Sequence, residues 1–211
     1  AAPAKIGPVD DAIGRNVARY IEDGCTLQIG MGAIPEAVAR VIGDRRDLGF
    51  HSGMAGDFVV DLIESGVITN ARKEIDTGVS VTAVLVGRNK LYQFVDRNPA
   101  FKLRPSWHTH DGDLHGLKRF VSVNSALEVD LTGQVGAEET GGQIVSAIGG
   151  QPDFVRAGHR SIGGRTIIAL PSTARGGLVS RIVQRLSGPV STARSDVDVV
   201  VTEHGWAELK G

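Results

Sequence analysis

Cysteine is nearly missing from this sequence. A single Cys25 excludes an internal disulfide framework, and the lack of paired Cys/His spacings argues against a structural zinc site, so a reducing compartment is expected. Excess charge of either sign is missing as well. With 23 Lys+Arg against 24 Asp+Glu the net charge is -1, which provides no broad field for nucleic acid or anionic lipid. Nor is there an apolar run near the roughly 20 residues of a membrane helix. The Ala-rich start lacks the basic and apolar regions of a signal peptide, and a cytoplasmic location is the expectation. At 41% hydrophobic and 22% charged, the composition is that of a globular chain able to bury one substantial core, so residues 1–211 are expected to form one domain. Glycine is what the chain has in excess. Its 28 glycines are about twice the usual share, and they cluster where backbones turn sharply or approach ligands.

Apolar periodicity then divides the chain into elements. Ile13, Val17 and Ile21 recur at helical spacing behind Asp10 as an N-cap and stop at Gly24, which predicts a helix over 11–22. CTLQIG reads as a buried strand, GMGAIP as a glycine turn, and Ala33 to Ile42 as a helix with Pro35 in its first turn. The pattern repeats as a strand from Leu48 to Gly53, a second glycine turn, and a helix through Phe58, Val59, Leu62 and Ile63 ended by Gly66. VSVTAVLV (79–86) is a strong strand signal. A helix near Leu91 to Val95 and strands near 120–123, 166–170 and 197–201 complete the alternation. The stretches 133–150 and 161–164 read as hairpin or loop insertions. Strands alternating with helices predict an α/β fold with a mainly parallel open sheet flanked by helices.

In such sheets, ligands lie beyond the carboxyl ends of the strands, beside glycine loops and helix N-termini. Three segments fit that position: Gly30-Met31-Gly32-Ala33-Ile34-Pro35, His51-Ser52-Gly53-Met54-Ala55-Gly56-Asp57, and Ile148-Gly149-Gly150-Gln151-Pro152-Asp153-Phe154. Together they predict one crevice for an anion or acyl group.

The ordered segments GMGAIPEAV (30–38), DLGFHSGM (47–54), DLIESGVITN (61–70), LYQFVDRNP (91–99), VNSALEVDLTGQV (123–135), AIGGQPDFVR (147–156), IIALPSTA (167–174) and SDVDVVVTEHG (195–205) carry a resemblance. From about Gly24 onward the chain resembles the acetyl-CoA hydrolase/transferase family, which includes acetate and 4-hydroxybutyrate CoA-transferases. The resemblance implies a CoA-transferase-like fold and identifies the chain with the second of two related halves. It implies acyl-CoA and a small carboxylic acid as substrates, no metal, an N-terminal half in the same chain or as a separate subunit, and a homo- or hetero-oligomer. Family members attack the acyl-CoA carbonyl with a glutamate in the pattern His-Ser/Thr-Glu-Met, giving an acyl-glutamyl anhydride and then a glutamyl-CoA thioester. Here that frame reads His51-Ser52-Gly53-Met54, so a glycine stands where the nucleophile is expected.

Candidate roles follow from the resemblance. The Gly30-Met31-Gly32-Ala33 turn is similar to the loop that polarises the thioester carbonyl, and Ile148, Gly149, Gly150, Gln151, Asp153 and Phe154 to the loop that binds CoA. Asn124 and Gln134 are candidates for positioning substrate, or for turn and strand hydrogen bonds. Asp57 is the nearest carboxylate that could replace the missing one, and also a natural first residue of a helix. His51 is a candidate base toward water in the space of the absent glutamate. The run HTHDGDLH, with His108, His110, Asp111, Asp113 and His115, makes no recognised metal spacing and is expected to face solvent. Lys118, Arg119, Arg156 and Arg165 are possible partners for CoA phosphates. The function implied is CoA transfer or thioester hydrolysis. The glycine at 53 keeps two alternatives open: a non-catalytic CoA-ester-binding or assembly module, and another acyl-CoA enzyme such as a lyase or hydratase.

Overall fold

The computed structural model describes residues 5–110, 114 and 116–210. Helix α1 (Pro8–Ala18) opens the chain, ahead of the expected start. Pro8 occupies the first helical turn, and Asp10 lies inside the helix, where its carboxylate accepts the N–H of Gly7 at 2.9 Å. Strand β1 (Thr26–Ile29) follows, then α2 (Ala33–Val41), β2 (Gly49–Ala55), α3 (Asp57–Glu64), β3 (Ser80–Leu85), α4 (Asn89–Val95), β4 (Phe101–Leu103), the short α5 (Ser106–Thr109) and β5 (Phe120–Ser125). Small strands come next: β6 (Glu128–Asp130), β7 (Val135–Gly136), β8 (Glu139–Thr140) and β9 (Gln143–Ile144). Helix α6 (Gln151–Arg160) leads into β10 (Arg165–Ala169). The chain continues with β11 (Thr173–Ala174), β12 (Val179–Ser180), β13 (Ile182–Val183), β14 (Val199–Thr202) and β15 (Gly205–Glu208).

Eight of these strands form one sheet in the order β15-β14-β10-β5-β1-β2-β3-β4. All its pairings are parallel except the antiparallel edge pair β14 and β15, which confirms the mainly parallel sheet expected from the sequence. From β1 the chain adds strands on one side through β4, then crosses to β5 on the other side of β1. The carboxyl ends of β1 and β5 therefore flank the point where the winding reverses, the place such sheets offer to ligands.

The two faces of the sheet differ in chemistry. One face buries Leu27, Ile29, Phe50, Val121, Val123, Ile167 and Val199 against Ile13 and Val17 of α1, Val38 of α2 and Val59 of α3. Each such side chain contributes about 1.5–3 kcal/mol of hydrophobic stabilisation. On the other face the alternate residues of the same strands are mostly polar: Thr26, Gln28, His51, Ser122, Asn124, Thr166 and Asp198. Helix α6 packs across β5 and β10, and α5 packs on β2 and β3. Phe154 and Ala157 of α6 meet Phe120 there, while Val155 meets Ile168 and Val200. Among the described residues, no helix is long and apolar enough to cross a membrane.

Strand β2 runs further than its glycines suggest. Met54 and Ala55 stay paired with Val84 and Leu85 of β3, so Gly53 lies inside the strand and the turn comes at Gly56. The parallel ladder with β3 holds the segment extended where the sequence alone suggested a bend.

Candidate active site

At the carboxyl edge the β1–α2 turn is open. A Cβ added to Gly30 or Gly32 would meet nothing within 4 Å, and Gly32 has φ 119°, a conformation that side chains resist. This turn touches the next one, since a Cβ on Gly56 would lie 3.0 Å from Sδ of Met31. Further along, Gly53 of β2 and Gly150, at the start of α6, pack against the same imidazole, that of His110. The His110 ring also tilts against Phe154, with centroids 4.6 Å apart. The structure thus connects the second and third glycine segments through His110, and the first and second through Met31.

Asn124 belongs to a hydrogen-bonded triad. Its Nδ2 donates to Oε1 of Gln28 (3.0 Å) and to Oγ of Ser122 (2.8 Å), and Ser122 Oγ donates to the same Gln28 oxygen (2.7 Å). Gln28 and Ser122 are paired across β1 and β5, which fixes the Asn124 amide at the strand end. Gln134 is placed differently, in the turn joining β6 and β7, where its side-chain oxygen accepts the N–H of Arg194 at 2.8 Å. In the loop before α6, Ile148 is exposed, Gly149 has φ 59°, and the Gln151 amide donates to Thr192 Oγ1 at 3.1 Å.

The two side chains offered in place of the missing glutamate stand in contrasting surroundings. Asp57 begins α3, and its carboxylate accepts Arg88 N at 3.0 Å and Arg88 Nε at 2.7 Å. Burial pushes its pKa up, but the Arg88 bonds outweigh this and hold it below the usual carboxylate value. That carboxylate is committed to joining α3 and α4. His51 is 0% exposed, with Nε2–H donating to the His108 carbonyl at 3.3 Å and Nδ1 without a hydrogen-bond partner among the described residues. Burial, with nearby Lys73 second, lowers its pKa to about 3. A ring so enclosed is neutral at ordinary pH but has no solvent contact through which to activate water.

His108 and His110 do not face solvent as the sequence suggested. His108 Nε2 lies 2.7 Å from Asp76 Oδ2, and its ring stacks with that of His51 at 5.8 Å. His110 turns toward Gly53 because α5 packs on β2. Asp111, Asp113 and His115 lie outside the described residues. Lys118 and Arg119 immediately precede β5 and Arg165 opens β10, which puts all three at the amino edge, opposite the glycine turns. Arg156 pairs with Asp196 at 3.4 Å. A hollow of about 610 Å³ lies elsewhere, bordered by Leu131, Gly133, Trp206 and Leu209 and by none of the three glycine segments. It is remote from the backbone turns at the strand ends.

Sequence reasoning missed Gln28, Ser122 and the inward turn of His110. For the first two a signal was available. Thr26 and Gln28 alternate with Leu27 and Ile29, as Ser122 and Asn124 do with Val121 and Val123, which marks one polar face at period two.

Comparison with known proteins bears on family and fold. The family model described as the acetyl-CoA hydrolase/transferase C-terminal domain matches residues 87–211. A 4-hydroxybutyrate coenzyme A transferase of Clostridium kluyveri is 46% identical over 99% of this chain and 49% of its own length. The crystal structure of RipA from Yersinia pestis superposes with a TM-score of 0.94 at 42% identity, covering 100% of this chain and 48% of that one. The 4-hydroxybutyrate CoA-transferase structure from Porphyromonas gingivalis gives a TM-score of 0.87 at 40% identity, covering 100% of this chain and 50% of that one. The chain thus spans about half the length of the relatives it matches. It belongs to the acetyl-CoA hydrolase/transferase family.

Proposed function

We propose that this chain supplies one half of an acyl-CoA-processing enzyme and receives the thioester at the carboxyl edge of its sheet. The observation that carries this reading is the convergence of the three glycine segments, through the Met31 contact with Gly56 and the His110 contacts with Gly53 and Gly150. The open Gly30-Met31-Gly32-Ala33 turn is the candidate for holding the carbonyl oxygen, Asn124 for positioning the acyl group, and the Ile148–Phe154 loop for CoA. Residues 1–211 act as one domain in this reading. The N-terminal half closes the crevice from the same chain or from another subunit, within an oligomer.

Of the two chemistries in the family's description, thioester hydrolysis fits this chain better. Covalent transfer requires a side-chain nucleophile, and position 53 has none, while Asp57 is engaged by Arg88. Hydrolysis asks only for an oriented water and a polarised carbonyl. The test is calorimetric titration of the complete gene product with acetyl-CoA. Gly30→Val, placed in open space, should weaken binding at least about tenfold, equivalent to about 1.4 kcal/mol, with the melting temperature preserved. Unchanged affinity would remove this turn from the site.

A further inference from the structure

Position 53 has no side chain, and an imidazole stands in the room that one would fill. A Cβ on Gly53 would lie 2.8 Å from Nε2 of His110 and 3.0 Å from its Cε1, and one on Gly150 would approach the same ring more closely still. Neither backbone needs glycine for its own conformation: Gly150 has φ -88°, and Gly53 is not among the residues of positive φ. The ring is what requires them. Any side chain at either position would have to displace His110.

The ring is also held at Nδ1. Thr109 Oγ1 lies 3.4 Å from the Pro105 carbonyl. It lies closer, at 2.7 Å, to Nδ1 of His110, a contact in which Nδ1–H donates to the hydroxyl oxygen in one tautomer of the ring and Nδ1 accepts from the hydroxyl in the other. In the Nδ1–H tautomer the lone pair is on Nε2, the atom beside Gly53 and Gly150. Phe154 supports the ring from α6. Unlike His51, His110 is only partly buried.

We propose that His110 is the base of this site, its Nε2 standing in for the side chain absent at Gly53 and activating a water toward the thioester. This rests on the hydrolytic reading above. As the water oxygen bonds to the carbonyl carbon, Nε2 accepts one of its protons. The tetrahedral adduct then breaks the C–S bond, sulfur leaves with the bonding pair, and the imidazolium returns the proton to the thiolate. One thioester and one water give one carboxylic acid and one free CoA thiol, so no further reactant is needed.

The charged and titratable groups on the elements packed around His110 are Asp153, Arg156, His159 and Arg160 of α6, His51 of β2, and His108 on its own helix, itself paired with Asp76; of these, Asp153 is the one whose charge acts on the ring. Desolvation lowers the His110 pKa below the ordinary histidine value, with Asp153 opposing. The ring is therefore neutral and competent at pH 7. Activity should be fully present above its folded pKa and lost as pH falls through it.

The experiment is thiol release from acetyl-CoA by the complete gene product and by its His110→Ala and His110→Gln variants, across pH, with and without added imidazole. His110→Gln keeps the bulk of the ring, so at least one variant can be compared in the folded state, checked by circular dichroism. The expected result is a fall in kcat of roughly 10²-fold or more in both variants. KM should change little, the acidic limb of the pH profile should vanish, and imidazole should partly rescue His110→Ala. Wild-type kcat and pH profile in either folded variant would overturn the role of His110 while leaving the hydrolytic reading intact. If the wild-type protein itself releases no thiol, the hydrolytic reading fails, and the base with it.

Discussion

The two faces of the sheet are built from the same strands and do opposite work. The face under α1, α2 and α3 is continuous hydrocarbon, where Leu27, Ile29, Phe50, Val121 and Val123 interdigitate with helix stripes. The face under α5 and α6 is mostly polar, with Gln28, Ser122 and Asn124 bonded to one another and Nδ1 of His51 buried without a partner among the described residues. Non-directional burial tolerates substitution by residues of like volume, whereas the polar row depends on register and on individual atoms. Stability is concentrated on the first face. The second is where the proposed site lies.

Truncation on the apolar face should have the largest effect. Phe50→Ala, at a fully buried ring, is expected to cost about 3–5 kcal/mol in denaturant unfolding. A loss below ~1 kcal/mol would mean that this face is not the stabilising one.

The next effect belongs to the polar face and appears as pH dependence. His51 has a folded pKa near 3, below the ordinary value of 6.5, so between those values the unfolded chain binds more protons. Stability from this group is complete above pH 6.5 and declines as pH falls toward 3. At pH 4 the loss is about 3 kcal/mol. His51→Leu should flatten that part of the stability curve, and an unchanged slope would show that other groups produce it.

The Gln28 triad should matter less. Gln28→Leu leaves Ser122 and Asn124 without their shared acceptor and is expected to cost about 1–3 kcal/mol. It should weaken acyl-CoA binding more than a core substitution of equal destabilisation does. Equal effects on binding from both variants would deny the triad a positioning role.

Smallest in stability, and most informative about the site, is Gly53→Ala. Its Cβ would need a shift of the His110 ring and a few tenths of an ångström from Phe154, so unfolding should change by about 1 kcal/mol, while thiol release falls as the ring moves. Full activity would mean that the ring is free to reposition.

The apolar face was legible because its signals are local. The recurrence of Ile13 and Val17 and the glycines that close strands and open helices placed the major elements and the order of the crevice segments. Pro8 shifted the start of α1, because its missing N–H suits the first turn better than Asp10 suits an N-cap. The polar face was less legible because its signals are not local. Gln28 meets Ser122 only once β1 and β5 are in register, and Gly53 reads as a turn until the β3 ladder holds it straight. His110 follows a short helix with no apolar period to orient it, and its direction is set by how α5 sits on β2 and β3. For the same reason the glycine at 53 reads in the sequence as an absent nucleophile, whereas in the structure it is also one side of a close contact.

The most direct test of the central claim is thiol release from acetyl-CoA by the complete gene product with and without a carboxylate acceptor such as acetate or succinate. With position 53 empty and His110 beside it, release should proceed at the same rate in both cases, and no CoA should pass to the added acid. Release that requires the acceptor, with CoA recovered on it, would contradict the account and mean that a carboxylate outside position 53 carries the acyl group.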